Sequence, residues 1–199
     1  AQIRELPAGS TVRFEGYEIR AFATDHAPGS MGLALVEGDR LGRFDVARAR
    51  ALGVPEGPLF GRLHRGEPVD LADGRVVRPE EVVGPARPGR RLVYSGDTRP
   101  SSEVERAAAS ADLLIHESTF SDEERERAET TRHSTAREAA ELAARAGAAR
   151  LVLTHFSARH SDQPQHLLRE AREAFPGASA AEDGLVIELP LRDAGAEAG

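Results

Sequence analysis

The sequence predicts an α/β fold. Leu92-Val93-Tyr94 runs into Ser95-Gly96-Asp97-Thr98-Arg99, Leu113-Leu114-Ile115 into His116-Glu117, and Leu151-Val152-Leu153-Thr154 into His155. Short apolar runs of this kind read as buried strands, and each of these ends in an Asp or a His. From Asp97 onward the pattern alternates helix and strand, as parallel strands with crossover helices require. Loops beyond the strand ends of such a sheet face an open crevice where reactive groups collect. Three polar-ended strands so close in the chain point to one shared site, a candidate metal site.

The elements follow in order. Thr11-Val12-Arg13-Phe14 and Tyr17-Glu18-Ile19-Arg20-Ala21-Phe22-Ala23 alternate around Glu15-Gly16, a β-hairpin pattern. Thr24 to Ser30 reads as a loop, and Met31 to Glu37 as a strand turned by Gly38-Asp39. Phe44 to Leu52 has helical spacing with little apolar content. Gly53 to Gly89 is rich in Gly and Pro, which predicts a long irregular stretch that is either functional or mobile. Ser101 or Ser102 caps a helix through Ala109, ahead of a strand over 112–116. Asp122 to Glu129 is charged all round and reads as a short exposed helix. Thr135-Ala136-Arg137-Glu138 is a capping box that opens a helix to about Ala146, where Gly147 stops it. After a strand over 150–154, a helix from about Gln165 to Phe175 ends at Pro176-Gly177. Leu185-Val186-Ile187-Glu188-Leu189 reads as a final strand, and the tail over 192–199 as disordered.

Composition narrows the function. The 199 residues suffice for one core. There is no cysteine, so any zinc must be held by His and carboxylate; the absence of thiols fits a reducing, cytoplasmic setting. No apolar run approaches the roughly 20 residues of a membrane span, and the N-terminal residues lack the apolar core of a signal peptide. All 26 basic residues are Arg and the net charge is −7, which argues against a nucleic-acid protein at first sight. The charge is uneven, however. Residues 40–91 carry 11 Arg against 7 acidic residues. A basic segment on an acidic body is compatible with a phosphate-binding arm; solvated charges on an irregular loop account for it equally well.

Taken singly, His26 reads as a surface histidine, Asp97 as a turn-former and His155 as a ring satisfied by backbone. Together they lie at three strand-to-loop transitions, and an Asp can bridge two metals. Two-metal hydrolases hold their ions about 3.5–4 Å apart around a water and a scissile phosphate. His133 sits two residues before the Thr135 cap, at a helix N-terminus whose positive end suits phosphate. There it could protonate a leaving oxygen, or be an ordinary exposed loop histidine. His116 and Glu117 read as buried and structurally hydrogen-bonded, and His64, His160 and His166 as surface residues.

The motifs Ser95-Gly96-Asp97-Thr98-Arg99, His116-Glu117-Ser118-Thr119-Phe120, His133-Ser134-Thr135 and Thr154-His155-Phe156-Ser157-Ala158-Arg159 resemble, in order and spacing, those of the ribonuclease Z (tRNase Z) family of the metallo-β-lactamase fold. Thr24-Asp25-His26 followed by Gly32 resembles that family's earlier metal-histidine motif. Gly53-Val54-Pro55-Glu56-Gly57-Pro58-Leu59-Phe60-Gly61 resembles its Gly/Pro-rich exosite arm, with Gly57, Pro58 and Gly61 as the marked positions. The resemblance implies two zinc ions in the complete enzyme, with His26 on the first, His155 on the second and Asp97 bridging them. It implies His133 as the catalytic histidine and Ser157 and Arg159 as phosphate contacts. The reaction implied is endonucleolytic removal of the 3′ trailer from a tRNA precursor, by an enzyme that forms a homodimer.

One departure stands out. The family's His-x-His-x-Asp-His motif, source of the other ligands and the general base, is absent, and no His-x-His occurs in the chain. The expectation is therefore the C-terminal portion of such an enzyme: a partial αββα sandwich over 1–191 with an inserted exosite arm at about 40–88, inactive alone. Another phosphodiesterase of the same fold, or a non-catalytic tRNA-binding or dimerising remnant, are the alternatives.

Overall fold

A computed structural model describes residues 5–160 and 164–191, so the tail expected to be disordered, 192–199, lies outside the described residues. The chain divides into two compact units, one of residues up to Glu37 together with Arg90–Pro190, the other centred on Gly38–Gly89. In chain order the elements are β1 (Thr11–Phe14), β2 (Tyr17–Ala23), β3 (Met31–Glu37), α1 (Val46–Ala51), α2 (Pro58–His64), β4 (Val69–Asp70), β5 (Val76–Val77), β6 (Arg91–Tyr94), α3 (Ser102–Ala108), β7 (Leu113–Glu117), α4 (Arg125–Thr131), α5 (Ala136–Arg145), β8 (Leu151–Thr154), α6 (Gln165–Ala174) and β9 (Ser179–Ala180).

The first unit is organised by a seven-stranded sheet of order β1-β2-β3-β6-β7-β8-β9. The strands from β1 to β6 pair antiparallel, and those from β6 to β9 parallel. The register sets Tyr94 opposite Ile115 and Glu117 opposite Thr154, so the ends of β6, β7 and β8 open on the same edge of the sheet. Helices α3 and α5 lie on one face, and α6 packs on α5. Alternation along the strands sends Ala34, Val93, Leu114, Leu151 and Leu153 to that face, where they form the core with Val104, Leu142 and Leu167. Helix α5 meets the sheet through Ala136, Ala139, Ala140 and Ala143, all fully buried at helical spacing. Its capping box forms as read: the Thr135 hydroxyl accepts from the Glu138 amide, and the Glu138 carboxylate from the Thr135 amide. The opposite face of the sheet stays open. Leu33 and Tyr94, directly paired across β3 and β6, are 36% and 44% exposed.

Two expectations are corrected here. The run Leu185–Leu189 forms no strand. Arg150 Nη1 donates to the Glu188 carbonyl and Arg90 Nη1 to the Leu189 carbonyl, so side chains hold the backbone groups that a ladder would have paired. The last strand is instead the short β9, beside β8. The Gly/Pro-rich stretch is also less irregular than its composition suggests. The second unit contains α1, α2, the β4–β5 ribbon and a small core of Ala49, Val54, Leu63, Val69, Val77 and Val82. Phe44 and Phe60 close that core with ring centroids 4.9 Å apart. Gly57 (φ 125°) and Pro58 start α2, so these residues punctuate structure rather than dissolve it. Among the described residues, no helix is long and apolar enough to cross a membrane.

Candidate metal centre

The site lies where the parallel strands end. Beyond β6, Gly96 adopts φ 64°, and a Cβ on it would lie 2.8 Å from the Met31 carbonyl oxygen. Only glycine fits that turn comfortably, and the turn delivers Asp97 to the crevice. Beyond β8, His155 takes φ 56°, a left-handed conformation that costs a non-glycine residue of order 1–3 kcal/mol and clusters at functional sites. His26 comes from the loop after β2, which Arg99 ties down by donating its amide to the Asp25 carbonyl at 2.9 Å. His133 sits between the end of α4, closed by left-handed Arg132, and the start of α5.

These four side chains converge. His155 Nε2 lies 3.6 Å from Asp97 Oδ1. The His133 ring has its centroid 4.7 Å from that of His26 and 5.3 Å from that of His155. Two sets of three residues place their ligand atoms within 4.8 Å of one another: His26, Asp97 and His133, and Glu117, His133 and His155. His133 therefore stands at the centre of the histidines and not at the rim of the crevice, and its side chain is 15% exposed.

The hydrogen bonds separate the roles. Glu117 is 1% exposed, and its carboxylate accepts from five donors: the Thr98 amide, His133 Nδ1, the Thr119 amide and hydroxyl, and the Ser134 amide. A carboxylate so saturated is a poor ligand for a cation. It acts as a hub that draws together the loops after β6 and β7 and the loop before α5. His26 Nδ1 donates to the Arg132 carbonyl at 2.9 Å, which leaves its Nε2 as the free nitrogen. Asp97 and His155 are 38% and 47% exposed, open enough to take a ligand. Imidazoles with one nitrogen held by oxygen, beside a partly exposed carboxylate, are a donor set suited to a divalent metal such as zinc.

Other expected residues fall elsewhere. Arg159 turns its guanidinium to Glu124, 3.1 Å away. The Ser157 amide donates to the Thr119 carbonyl. His160, read as a surface residue, is only 16% exposed and bonds Glu124 at 2.7 Å, while His64 donates to the Gly42 carbonyl. His116 is fully buried, as read. The sequence reading gave no site role to Glu117, Thr119 or the Arg99–Glu138 pair. The available signal was Glu117 itself, a carboxylate at the end of a strand flanked by the strands that lead to Asp97 and His155.

Residues 68–156 match the beta-lactamase superfamily domain. The chain is 60% identical over 193 residues to the Ribonuclease Z of Myxococcus xanthus, covering 96% of this chain and 63% of that protein. Relatives of the same name from Haloferax volcanii and Gemmatimonas aurantiaca are 55% and 57% identical, each covered to 62%. The chain thus spans a little under two thirds of the length of these curated relatives. Two solved structures show the fold: the metallo-beta-lactamase fold protein YhfI from Bacillus subtilis, with TM-score 0.59, 19% identity, and 92% of this chain and 54% of that one covered, and the short form of human tRNase Z, with TM-score 0.53, 24% identity, and 90% and 46% covered. With its motifs in the same order and on a metallo-β-lactamase fold, the chain is similar over nearly its whole length to proteins named Ribonuclease Z.

Proposed function

We propose that this chain is the larger part of a zinc-dependent endoribonuclease that removes the 3′ trailer from tRNA precursors. The observation that carries the reading is the meeting of His26, Asp97, His133 and His155 at the ends of β6 and β8 and in the flanking loops. His26 and His155 would each hold zinc, and Asp97, which lies near both, would serve as a shared ligand. The chemistry such ions supply is neutralisation of a scissile phosphate and activation of water. His133 gives a proton to the departing ribose 3′-oxygen from Nε2, because Glu117 occupies its Nδ1. Arg99 holds the His133 carbonyl at 2.8 Å and keeps the ring in place.

The remaining ligands belong to the part of the relatives that this chain does not cover, and that part also packs on the open sheet face around Leu33 and Tyr94. With three ligands the chain by itself binds zinc weakly and does not cut RNA. The arginine-rich 38–89 unit, through its Gly57–Gly61 region, grips precursor tRNA as an exosite, and the complete enzyme works in the cytoplasm as a homodimer.

The test is cleavage of a precursor tRNA by this chain completed with the N-terminal part of the Myxococcus relative. We expect one cut at the 3′ side of the acceptor stem, about two zinc ions per chain, and loss of both in Asp97→Ala. Hydrolysis of a nitrophenyl phosphodiester with precursor tRNA left intact would mark a different phosphodiesterase. Binding of tRNA with neither activity would mark a non-catalytic protein.

A further inference from the structure

We infer that Thr119 is a positioning residue that fixes the tautomer of His155 and so aims its metal-binding nitrogen. The inference rests on the reading of His155 as a ligand. Thr119 is 7% exposed and sits in the loop after β7. Its Oγ1 lies 2.8 Å from Glu117 Oε2 and 2.8 Å from His155 Nδ1. A hydroxyl has one proton to give. The other groups that touch the Glu117 carboxylate give it hydrogens, and a contact of 2.8 Å between two oxygens needs a hydrogen between them. The Thr119 proton therefore goes to Glu117, and the hydroxyl oxygen accepts. His155 Nδ1 must then carry the hydrogen, and Nε2 is left as a bare lone pair on the side where Asp97 Oδ1 lies.

The arrangement has a reason. A neutral imidazole free in water favours the opposite form, with the hydrogen on Nε2, which cannot bind a metal through that atom. At His26 a main-chain carbonyl does the corresponding work. At His155 the backbone is left-handed, and the acceptor is a side chain instead. The same Glu117 thus holds His133 directly and His155 through Thr119, so one buried carboxylate sets the orientation of the proton donor and of a ligand together.

The test uses this chain without metal, then with cobalt(II) or zinc alone. Long-range proton–nitrogen correlation spectra report which ring nitrogen carries the hydrogen, with the His155 signals assigned by their loss in His155→Gln. At a pH where the ring is neutral, we expect the Nδ1–H form in the native chain and in Thr119→Ser, and a shift toward the Nε2–H form in Thr119→Val, which keeps the shape but cannot accept. Cobalt affinity should fall about 10–100-fold in Thr119→Val and recover in Thr119→Ser. An Nε2–H ring in the native chain overturns the inference, whatever the fate of the valine variant. So does a valine variant with unchanged tautomer and affinity. A native chain with the Nδ1–H ring that binds no metal would sink the ligand reading and leave the tautomer control standing.

Discussion

Glu117 Oε1 accepts from His133 Nδ1 at 2.7 Å, and this bond decides which nitrogen of His133 is free to act. In the completed enzyme, His133→Ala should lower kcat on precursor tRNA by about 10²–10⁴-fold, and Glu117→Gln should do much the same. A nitrophenyl phosphodiester, whose leaving group departs as an anion, should be affected far less by His133→Ala. Zinc content should survive His133→Ala and fall in His155→Ala. Equal loss of zinc in the two would place His133 among the ligands.

Arg99 binds both oxygens of Glu138, at 2.6 and 2.7 Å, and donates to the His133 carbonyl as well. Both side chains are largely buried, at 17% and 8% exposure. Arg99→Met leaves the largely buried Glu138 with only Arg125, 3.9 Å away, and the Thr135 amide, and should cost up to about 3–5 kcal/mol. Urea unfolding of the two chains at pH 7 measures the difference.

Gly96→Ala forces a side chain into a left-handed turn and against the Met31 carbonyl. A loss of about 1–2 kcal/mol follows from the backbone alone, with the clash in addition. Since Asp97 is the next residue, cobalt binding should weaken in parallel with stability. Unchanged binding would show that the turn does not position the ligand.

Burial pushes the His116 imidazole below its ordinary pKa, against the opposing pull of its hydrogen bond to the Glu117 carbonyl and of the Glu117 and Glu138 charges. Among the described residues its Nε2 has no hydrogen-bond partner. The folded protein holds this ring neutral, while the unfolded chain takes up a proton below about pH 6.5. Stability contributed by the neutral ring is therefore full above that pH and falls as the solution is made more acid. Urea midpoints recorded from pH 8 to pH 5 should decline, and His116→Gln should flatten the decline. An unchanged slope in the glutamine variant would assign the acid sensitivity to other groups.

Arg62 and Arg65, on and just beyond α2, are 46% and 62% exposed. In the completed enzyme, replacing both with Ala should raise KM for precursor tRNA and leave nitrophenyl phosphodiester hydrolysis intact. Removing one arginine–phosphate pair should reduce the salt slope of tRNA binding by about one. Equal impairment on both substrates would show that this segment supports the catalytic site instead.

Local pattern settled much of this protein. Alternation located β1 and β2, and short apolar runs located β6, β7 and β8, because a strand covered on one face repeats at two residues and one buried on both faces is apolar throughout. Thr135 and Glu138 announced α5, because an N-cap is a contact between residues three apart in sequence. His26, Asp97, His133 and His155 were visible as polar residues at strand ends and a helix start, although nothing local said how near they lie. What only the tertiary structure decided are the long-range choices. The Leu185–Leu189 run has strand propensity, yet arginine side chains claim its carbonyls. Glu117 has the sequence signature of any buried polar residue, and becomes a hub only when Thr98, Thr119, His133 and Ser134 arrive from separate loops. Composition counts glycine and proline in 53–89 but cannot see that Ala49, Val54, Leu63 and Val82 meet in space. In each case the deciding energy comes from groups far apart in the chain, and no window of sequence contains both partners.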